Sequence, residues 1–503
     1  MRTISRRSLM FGVGAGLGAI PFAIWLDKHA DAQAARVRYN IQTPIGDQMA
    51  ARYATAVRTL MSLPEQDPRS WTFLWYTHWV RGDRTKEAEI ARIYPDAADP
   101  RGALALETWS TCQPHATGSN KLMFLPWHRM FVYFYERLLR SVLADPDFTL
   151  PYWNYSPDSL GPYQTSIPPQ FRARLDPLFS SLYRSSRFSA VNSGQAIDFG
   201  KEAYQRLHLT PSMSETNYAP VGAIPGFNNR LNSHVHGNVH TLVGNSVGMA
   251  SLKWAGNDPI FWMHHSNIDR IWESWNKAGF SNPATTSWLN RTFVFVDELG
   301  QRVVASVRDF TNPALLGYSY DSLEAVPPPP PPSASTTVAS DGSAKVQSAS
   351  SDTPVPVAVA RKVVLGQRAT RVLLVTSNSR QGTFDQRVRY LRPGRRLYLV
   401  LEDLYTPMPV DVVYDVYLNL PSGTGAKQAV THWVGDLNFF DALDHKHDHN
   451  AGPSFVSYDI TDKAQALLVK RRLGPNAVVT IVPAGMPAAG ARPEIGQVSI
   501  VEQ

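Results

Sequence analysis

The spacing of apolar residues predicts a helical front part and a strand-rich back part of the chain. Four segments of the front part are predicted to be helical, and three of them have a helix-start signal. They are 71–80, 127–143, the stretch that carries His236 and His240, and 259–275. Ser70 and Asp258 directly precede the first and the last of them, and both are favourable N-cap residues. The front part is therefore predicted to be mainly α.

The back part changes to the shorter pattern of β structure. Its β-branched runs are bounded by Gly, Pro and Asn, as strands commonly are. These runs lie at 371–376, 396–401, 412–420 and 477–482. We expect them to form a small antiparallel, sandwich-like β domain.

A proline-rich segment separates the two parts. Prolines fill 327–332, and Ser, Ala, Thr and Gly dominate the residues that follow as far as 356. Such a composition cannot bury enough apolar surface to order itself, and polyproline is a stiff spacer. We predict a first domain at 35–325, a linker at 326–360 and a second domain at 361–503. An exposed linker of this kind is accessible to an activating protease.

The beginning of the chain has the pattern of an export signal. Arg6 and Arg7 precede an apolar, glycine-rich run at 11–26, and Ala32-Gln33-Ala34 matches a cleavage site. The run is shorter than the ~20 apolar residues of a spanning helix. We therefore predict a signal peptide at 1–34 that the twin-arginine export machinery recognises, with no stable membrane insertion after its removal. The expected location is periplasmic or secreted.

Composition narrows the functional classes. Hydrophobic residues make up 43% of the 503 residues and charged residues 18%, which excludes a disordered chain. Part of the net charge of +7 lies in the signal peptide and the rest forms no basic block, so no nucleic-acid partner is expected. Cys112 is the only cysteine, which excludes an intrachain disulfide and a cysteine-based metal cluster.

Histidines carry the clearest chemical signal. His236 and His240 are four residues apart, so both rings lie on one face of a helix. The other histidines in apolar segments or beside them are His78, His115, His128, His264 and His265. Buried titratable rings need partners, and together these rings predict a metal centre. Six imidazoles in two sets of three fit two ions, and the ligand type leaves copper and zinc open.

Two groups of motifs resemble the copper-binding regions of the tyrosinase and polyphenol oxidase family. The first comprises Asp67-Pro68-Arg69-Ser70 with His78, Phe124-Leu125-Pro126-Trp127-His128-Arg129, and Leu150-Pro151-Tyr152-Trp153-Asn154. The second comprises His236-Gly237-Asn238-Val239-His240 and 258–270, which includes His264-His265-Ser266-Asn267-Ile268-Asp269-Arg270. Residues 316–320 of this chain resemble the end of the catalytic domain of plant-type members. Residues 414–419 resemble a strand of their C-terminal domain.

The resemblance implies a helical-bundle catalytic domain with a dinuclear type 3 copper centre. It implies that one copper is held by His78, His115 and His128. The second copper is then held by His236, His240 and His265, with His264 as a neighbour. The implied reaction oxidises phenols, chiefly o-diphenols, to o-quinones while O2 is reduced to water.

Asn232 and Leu252 are the two candidate catalytic residues, and Asn232 departs from the family pattern. Asn232 stands four residues before His236, where many members carry a glutamate that deprotonates monophenols. Because an amide is not a general base, we expect weak monophenol hydroxylation. Leu252 stands at the position of the gating residue, where it is expected to make the entrance apolar. Cys112 is read either as a buried free thiol or as a thioether partner of His115.

The resemblance also implies that the second domain covers the site and keeps the enzyme latent until the linker is cut. Three other activities stay open at this point. They are a tyrosinase with strong monophenol hydroxylation, an o-aminophenol oxidase and a hemocyanin-like O2 carrier.

Overall fold

The computed structural model of the protein describes residues 20–21, 36–116, 120–325, 353–376, 382–442 and 455–503. The signal peptide predicted at 1–34 lies outside the described residues, apart from β1 (Ile20–Pro21), which pairs in parallel with 303–304. Most of the predicted linker also lies outside them. Within the described ranges, no helix combines the length and apolar character needed to cross a membrane.

The front domain is built mainly from helices, as the apolar pattern predicts. Of the three long helices, α5 packs against both α1 and α11 around the apolar core. The helices are α1 Pro44–Ser62, α2 Trp71–His78, α3 Lys86–Ile93, α4 Pro100–Thr108, α5 Phe124–Leu143, α6 Ser189–Asn192, α7 Thr210–Met213, α8 Gly226–Leu231, α9 Gly237–Val243, α10 Leu252–Ala255, α11 Pro259–Lys277 and α12 Thr286–Leu289.

Capping residues fix where the site-bearing helices begin. The Ser70 hydroxyl accepts a hydrogen bond from the Phe73 amide at 3.2 Å and starts α2. The Asp258 carboxylate accepts from the Ile260 amide at 3.0 Å and starts α11, with Pro259 in the first turn. Both starts agree with the sequence prediction, so the histidines of these helices sit at a fixed helical phase.

Aromatic packing holds α5 and α11 together. The Tyr135 and Trp262 rings stack with centroids 3.6 Å apart, and Phe131 lies 4.5 Å from Trp262. All three rings are buried. Aromatic pairs of this kind stabilise the fold beyond what the buried apolar area contributes. The two helices therefore present their histidines to each other across a rigid contact.

A buried ionic cluster around Asp269 ties α11 to the rest of the domain. Its carboxylate accepts hydrogen bonds from Arg38 at 3.1 Å and from the phenols of Tyr318 at 2.6 Å and Tyr320 at 2.5 Å, and it also pairs with Arg129. Burial alone would raise the pKa of Asp269, but the two guanidinium groups and the phenols hold it below its usual value. The short strands β2 (Arg36–Arg38) and β5 (Tyr318–Tyr320) pair in parallel here and carry three of these partners.

The back domain is one continuous antiparallel sheet. The order is β10-β9-β12-β7-β6-β13-β8-β11. The strands are β6 Val355–Val364, β7 Thr370–Thr376, β8 Leu397–Tyr405, β9 Tyr414–Leu418, β10 Trp433–Leu437, β11 Phe455–Asp459, β12 Ala477–Pro483 and β13 Glu494–Glu502. Front-domain β3 (Thr292–Val296) and β4 (Arg302–Ser306) form a separate hairpin, and α13 Phe384–Arg389, α14 Ala426–Ala429 and α15 Thr461–Val469 complete the back domain.

The sandwich-like arrangement expected from the sequence is replaced by a rolled, barrel-like sheet. The Tyr458 hydroxyl on edge strand β11 donates to the Asp436 carbonyl on the other edge strand, β10, at 2.6 Å. Gly435 permits this approach, since a Cβ there would lie 2.3 Å from the Tyr458 ring. The two edges therefore meet, which no period-two pattern in a single strand could reveal.

Strand β6 begins inside the segment predicted as linker at 326–360. Val355–Val364 pairs with both β13 and β7. Two prolines, Pro354 and Pro356, made this stretch look like spacer, but Pro is tolerated at the beginning of a strand. The ordered back domain therefore starts earlier than the composition indicates.

We predict that Asp269→Ala lowers the free energy of unfolding by about 3–5 kcal/mol, because it leaves Arg38 and Arg129 buried without their countercharge. The measurement is the midpoint of urea unfolding of the copper-free chain. The matched control is Asp147→Ala at an exposed aspartate, which should stay within about 0.5 kcal/mol of the parent. Equal midpoints for both variants would contradict the structural role of the cluster.

Candidate metal centre

Five helices and one loop bring the predicted histidines into one buried region. His78 ends α2, His128 lies in the first turns of α5, His240 on α9 and His265 on α11. His236 closes a π-helical turn, Asn232–His236, between α8 and α9. His115 lies on the loop after α4, and all six side chains are buried. The sequence prediction that these residues converge is consistent with this placement.

One group of rings gathers on α9 and α11. Ring nitrogens of His236, His240, His264 and His265 lie within 4.8 Å of one another. The His236 and His240 centroids are 4.6 Å apart, as expected for two residues one helical turn apart. The π-helical turn is a local departure of the kind often found at functional sites. This group is compact enough to hold one ion.

A second group lies directly beside the first. Ligand atoms of His78, Cys112 and His128 are within 4.8 Å of one another. The His128 ring stacks on His265 with centroids 4.4 Å apart, so the two groups are contiguous. His115 Nε2 lies 3.2 Å from a carboxylate oxygen of Asp441 in the back domain. In this structure the side chain of the loop histidine therefore contacts the back domain.

Main-chain carbonyls fix the orientation of four rings. The Nδ1 atoms of His128, His240 and His265 lie 2.8, 2.9 and 2.9 Å from the carbonyls of Phe124, Met249 and Phe261. His236 Nδ1 lies 3.3 Å from the Asn232 carbonyl. Since a carbonyl only accepts, each Nδ1 carries the proton and each Nε2 keeps its lone pair.

Those lone pairs provide the test of whether a metal fits. Among the residues that the structure describes, neither His240 Nε2 nor His265 Nε2 has a hydrogen-bond partner. A buried acceptor left in this way costs ~1–3 kcal/mol. A soft metal ion with an imidazole preference satisfies them without further protein groups. The residues present therefore fit a copper centre.

His264 differs from its neighbour His265 in this respect. Neither of its ring nitrogens has a partner among the described residues, so no carbonyl fixes its tautomer. Its ring lies 5.5 Å from Tyr155 and is fully buried. Proximity alone does not separate the two histidines, but the Phe261 carbonyl orients only His265 for metal binding.

Burial keeps the rings neutral at physiological pH. It lowers the pKa of His128 and of His240 to about 3, because the charged imidazolium would lose its hydration. Burial and the neighbouring rings also hold the pKa of His78, His236 and His265 well below its usual value. Neutral imidazoles are the form that binds metal ions.

Aromatic side chains enclose the rings. Phe261 lies 4.0 Å from His265 and 4.8 Å from His78 between ring centroids. Phe124 lies 4.9 Å from His128 and 4.6 Å from His236. These contacts hold the imidazoles in place and exclude water from the region behind them.

Phe440 of the back domain covers the open side. Its ring stacks on His240 with centroids 4.0 Å apart and planes 13° from parallel. It also meets the rings of His236 at 5.6 Å and His115 at 6.3 Å edge-on. One side chain of the back domain therefore lies against His240 and His236 of the first group and close to His115.

Asp441, next to Phe440, contacts Asn232 and His115 of the front domain. Its carboxylate accepts a hydrogen bond of 2.5 Å from the Asn232 side-chain amide and lies near His115 as described above. Asn232 thus faces the site, at its rim, and holds the back domain in this structure. Its own Oδ1 has no partner among the described residues.

The structure gives Gly237 a steric reason. A Cβ at this position would lie 2.4 Å from the Asn438 side-chain oxygen. The Asn438 amide donates to the Ser233 carbonyl at 2.8 Å and to Asn238 Oδ1 at 2.9 Å. Glycine therefore lets the segment 438–441 approach the helix that carries His236 and His240.

Leu252 and Cys112 are both buried, as expected for a free thiol at Cys112 but not for a gating residue at Leu252. Leu252 starts α10 in the apolar core, and 3% of its surface is exposed. Its main chain lies beside the His78 imidazole. Cys112 Sγ lies 3.7 Å from His128 Nε2, and burial raises the pKa of its thiol. Cys112 is thus a buried free thiol, one of the two readings of the sequence, and its histidine contact is with His128 rather than with His115.

Sequence reasoning missed the contributions of Asn438, Phe440 and Asp441. The only local signal is a pair of aromatic residues, Phe439-Phe440, between two polar residues directly after a strand. That pattern has many explanations in a β domain. Its meaning depends on which face of the back domain docks onto the front domain, and a single sequence does not encode this visibly.

Family models match most of the chain. The common central domain of tyrosinase matches residues 68–278, and the polyphenol oxidase middle domain matches 283–327. A domain of unknown function, DUF7868, matches 335–503. The first two matches span the residues that contain every histidine of the candidate centre.

Curated relatives agree with these matches. Tyrosinase HcTyr1 of Hahella sp. (strain CCB-MM4) is 31% identical over 57% of this chain and 63% of its own length. The chloroplastic polyphenol oxidase of Malus domestica is 25% identical over 86% of this chain and 72% of its own. This chain thus spans slightly less than two thirds of the bacterial relative.

Solved structures share the two-domain fold. Latent apple tyrosinase superposes with a TM-score of 0.58 at 21% identity, covering 93% of this chain and 97% of that chain. A latent aurone synthase co-crystallised with hexatungstotellurate(VI) superposes with a TM-score of 0.59 at 19% identity, covering 93% and 89%. The matches to the tyrosinase central domain and the polyphenol oxidase middle domain, taken with the paired histidine groups, show that residues 68–327 belong to the tyrosinase and polyphenol oxidase family of type 3 copper proteins, whose cofactor is two copper ions.

Proposed function

We propose that this protein oxidises phenols, chiefly o-diphenols, to o-quinones with reduction of O2 to water, and that it is made in a latent form. The observation that supports this most directly is the pair of contiguous histidine groups with bare, buried ring nitrogens. The family relationship supports copper as the metal. The proposed location is outside the cytoplasmic membrane, reached through the twin-arginine route.

The proposed ligands of the first copper are His78, His115 and His128. Those of the second are His236, His240 and His265. His265 is preferred to His264 because the Phe261 carbonyl fixes its tautomer. His115 joins the first set when its Nε2 turns from Asp441 to the metal, a choice supported by its position on a loop rather than a helix.

When bound, the two copper ions supply the redox chemistry that passes electrons from the phenol to O2. The chain supplies the geometry. Backbone carbonyls hold the histidine rings in one tautomer, and Phe261 and Phe124 keep water from the rear of the site. A flat phenol ring can then stack where the Phe440 ring now lies, against the face of His240.

The absence of a carboxylate at position 232 supports the preference for o-diphenols. A monophenol must lose its proton before it can react, and a side-chain amide does not take it. The nearest carboxylate to Asn232 in the structure belongs to Asp441, which leaves together with the back domain when the site opens.

The contacts of Phe440 support latency. Its ring fills the volume in front of the histidines, so a substrate ring and Phe440 exclude each other. The back domain is held by further polar contacts, among them the buried Arg206–Asp415 pair and a 2.6 Å hydrogen bond from Arg230 to the Ser457 carbonyl. Gln503 accepts from the Ala223 amide at 2.7 Å. We infer that cutting the linker alone leaves the back domain docked, and that a mild detergent completes activation.

The ligand assignment predicts different effects at two adjacent histidines. We expect His265→Ala to lose at least one of two copper ions per chain, because it removes an oriented nitrogen. His264→Ala, its matched neighbour, should keep both. Elemental analysis of copper-loaded chains gives the readout, and circular dichroism checks the fold. Retention of both ions by His265→Ala, with loss in His264→Ala, would reverse the assignment.

Latency predicts that Phe440→Ala raises catechol-dependent O2 uptake of the copper-loaded full chain by at least about tenfold. The change opens the space over His240 and removes apolar contact that holds the docked domain, a loss of ~3–5 kcal/mol for a well-packed Phe. Tyr390→Ala, at a 75% exposed aromatic of the same domain, should not change the rate.

Two further arms separate the alternatives. Linker-cut chain treated with mild detergent should match Phe440→Ala, and equal turnover by intact and opened chains would refute latency. Replacing catechol with tyrosine or o-aminophenol reports on the other two oxidase activities. Reversible O2 binding without turnover of any of the three would favour a carrier and contradict the enzyme.

The role given to Asn232 predicts a change of substrate preference. In a Phe440→Ala, Asp441→Asn background, Asn232→Glu should raise the ratio of tyrosine hydroxylation to catechol oxidation at least about tenfold, because it supplies a base. Asn232→Gln, of equal size, should leave the ratio unchanged. The background removes the Asp441 carboxylate, which would repel the introduced one. Similar ratios in both variants would show that position 232 does not limit monophenol use.

A further inference from the structure

A small cavity lies at the boundary between the two domains, and no histidine lines it. Its volume is about 190 Å³. Phe188, Phe199 and Leu242 line it from the front domain, and Val412 and Met486 from the back domain. Phe199 and Met486 are 47% and 82% exposed, so the mouth opens to solvent. An apolar cavity of ~150 Å³ already accepts a benzene ring, so this one has room for a ring with one short substituent.

Two polar residues of this lining, Asp411 and Arg206, each have one side-chain atom without a hydrogen-bond partner among the described residues. Asp411 lines the cavity, and its Oδ1 is buried with no hydrogen-bond partner among the described residues. Arg206 lines it too, with 2% of its surface exposed. Its terminal nitrogen pairs with Asp415, but its Nε has no partner in the part of the chain that the structure describes. The same apolar space is therefore lined by one residue with an unsatisfied acceptor and one residue with an unsatisfied donor.

This combination specifies a ligand chemistry. A hydroxyl group both donates and accepts, so it can satisfy a carboxylate oxygen and a guanidinium N–H together. The aromatic and aliphatic lining favours a flat apolar body. Burial of the carboxylate, which raises the pKa of Asp411 to about 6, is costly without such a donor.

We propose that this inter-domain cavity is a second binding site for a single-ring aromatic hydroxyl compound, held by Asp411 and Arg206. The ligand touches both domains, so it binds the docked form and not the opened one. If the latency proposed above holds, bound ligand keeps the site closed. At ten times its dissociation constant, it should favour the docked form about elevenfold.

The test uses 4-fluorobenzyl alcohol, which carries a ring and a hydroxyl but is not a phenol and cannot form a quinone. Binding to the full-length latent chain is followed by the 19F NMR signal of the probe. We expect saturable binding by the parent chain, and about tenfold weaker binding of 4-fluorotoluene, which lacks the hydroxyl.

Variants locate the probe. Asp411→Ala should weaken binding of the alcohol about tenfold, and Val412→Phe should abolish it by filling the cavity. The matched control is Asp403→Ala in the same domain. Asp403 and Asp411 both have left-handed backbone, with φ of 56° and 64°, so the two changes strain the chain alike. No binding by the parent chain, or equal binding by the parent, Asp411→Ala and Val412→Phe, would overturn the proposal.

A second measurement separates this site from the proposed latency. In linker-cut chain, the alcohol should lower catechol turnover in the parent and in Asp403→Ala, but not in Asp411→Ala. Site-specific binding without any effect on turnover would contradict the closing role of the back domain while the cavity site stands. Inhibition that persists in Asp411→Ala would place the effect at the metal centre and refute closure through the cavity.

Discussion

The structure depends on a set of imidazole lone pairs that are bare, buried and aimed at one another. The carbonyls of Phe261 and Met249 accept hydrogen bonds from the Nδ1–H groups of His265 and His240. Because each ring is neutral, its Nε2 is then the unprotonated nitrogen. Burial then keeps the rings uncharged. Without a partner, these buried nitrogens lower the stability of the folded chain. A bound metal ion accepts their lone pairs and removes this penalty. The helix caps and the Asp269 cluster serve this geometry by fixing the phase and position of the helices that carry the rings.

The same constraint explains the form of the back domain. A centre with one open side is exposed to any flat ring, and Phe440 is such a ring supplied by the chain itself. Its approach requires Gly237, since a side chain there would collide with Asn438. The contact combines polar groups, for example the Asn438 amide on the Ser233 carbonyl, with apolar contacts such as those of Ala223 with Tyr398 and Val501. Such an interface is specific yet can open, which suits a domain that covers a site temporarily.

Local signals allowed much of the fold and the presence of a histidine-rich metal centre to be predicted, whereas the choice of the six ligands came from the family resemblance. Ser70 and Asp258 mark helix starts through hydrogen bonds to residues two or three positions away, so the sequence alone reveals them. The four-residue spacing of His236 and His240 is equally local. By contrast, the rolled sheet depends on Tyr458 reaching Asp436, and the covering of the site depends on Asp441 reaching Asn232. These pairs are far apart in sequence and have no periodic signature, and β6 was hidden by its flanking prolines.

The most direct test of the central claim is anomalous diffraction at the copper edge from crystals of the copper-loaded chain. The account predicts two peaks, about 3.5–4 Å apart. One should be bounded by Nε2 of His236, His240 and His265, and the other should lie beside His78 and His128 with His115 turned towards it. A single peak, or a peak coordinated by His264 in place of His265, would contradict the account.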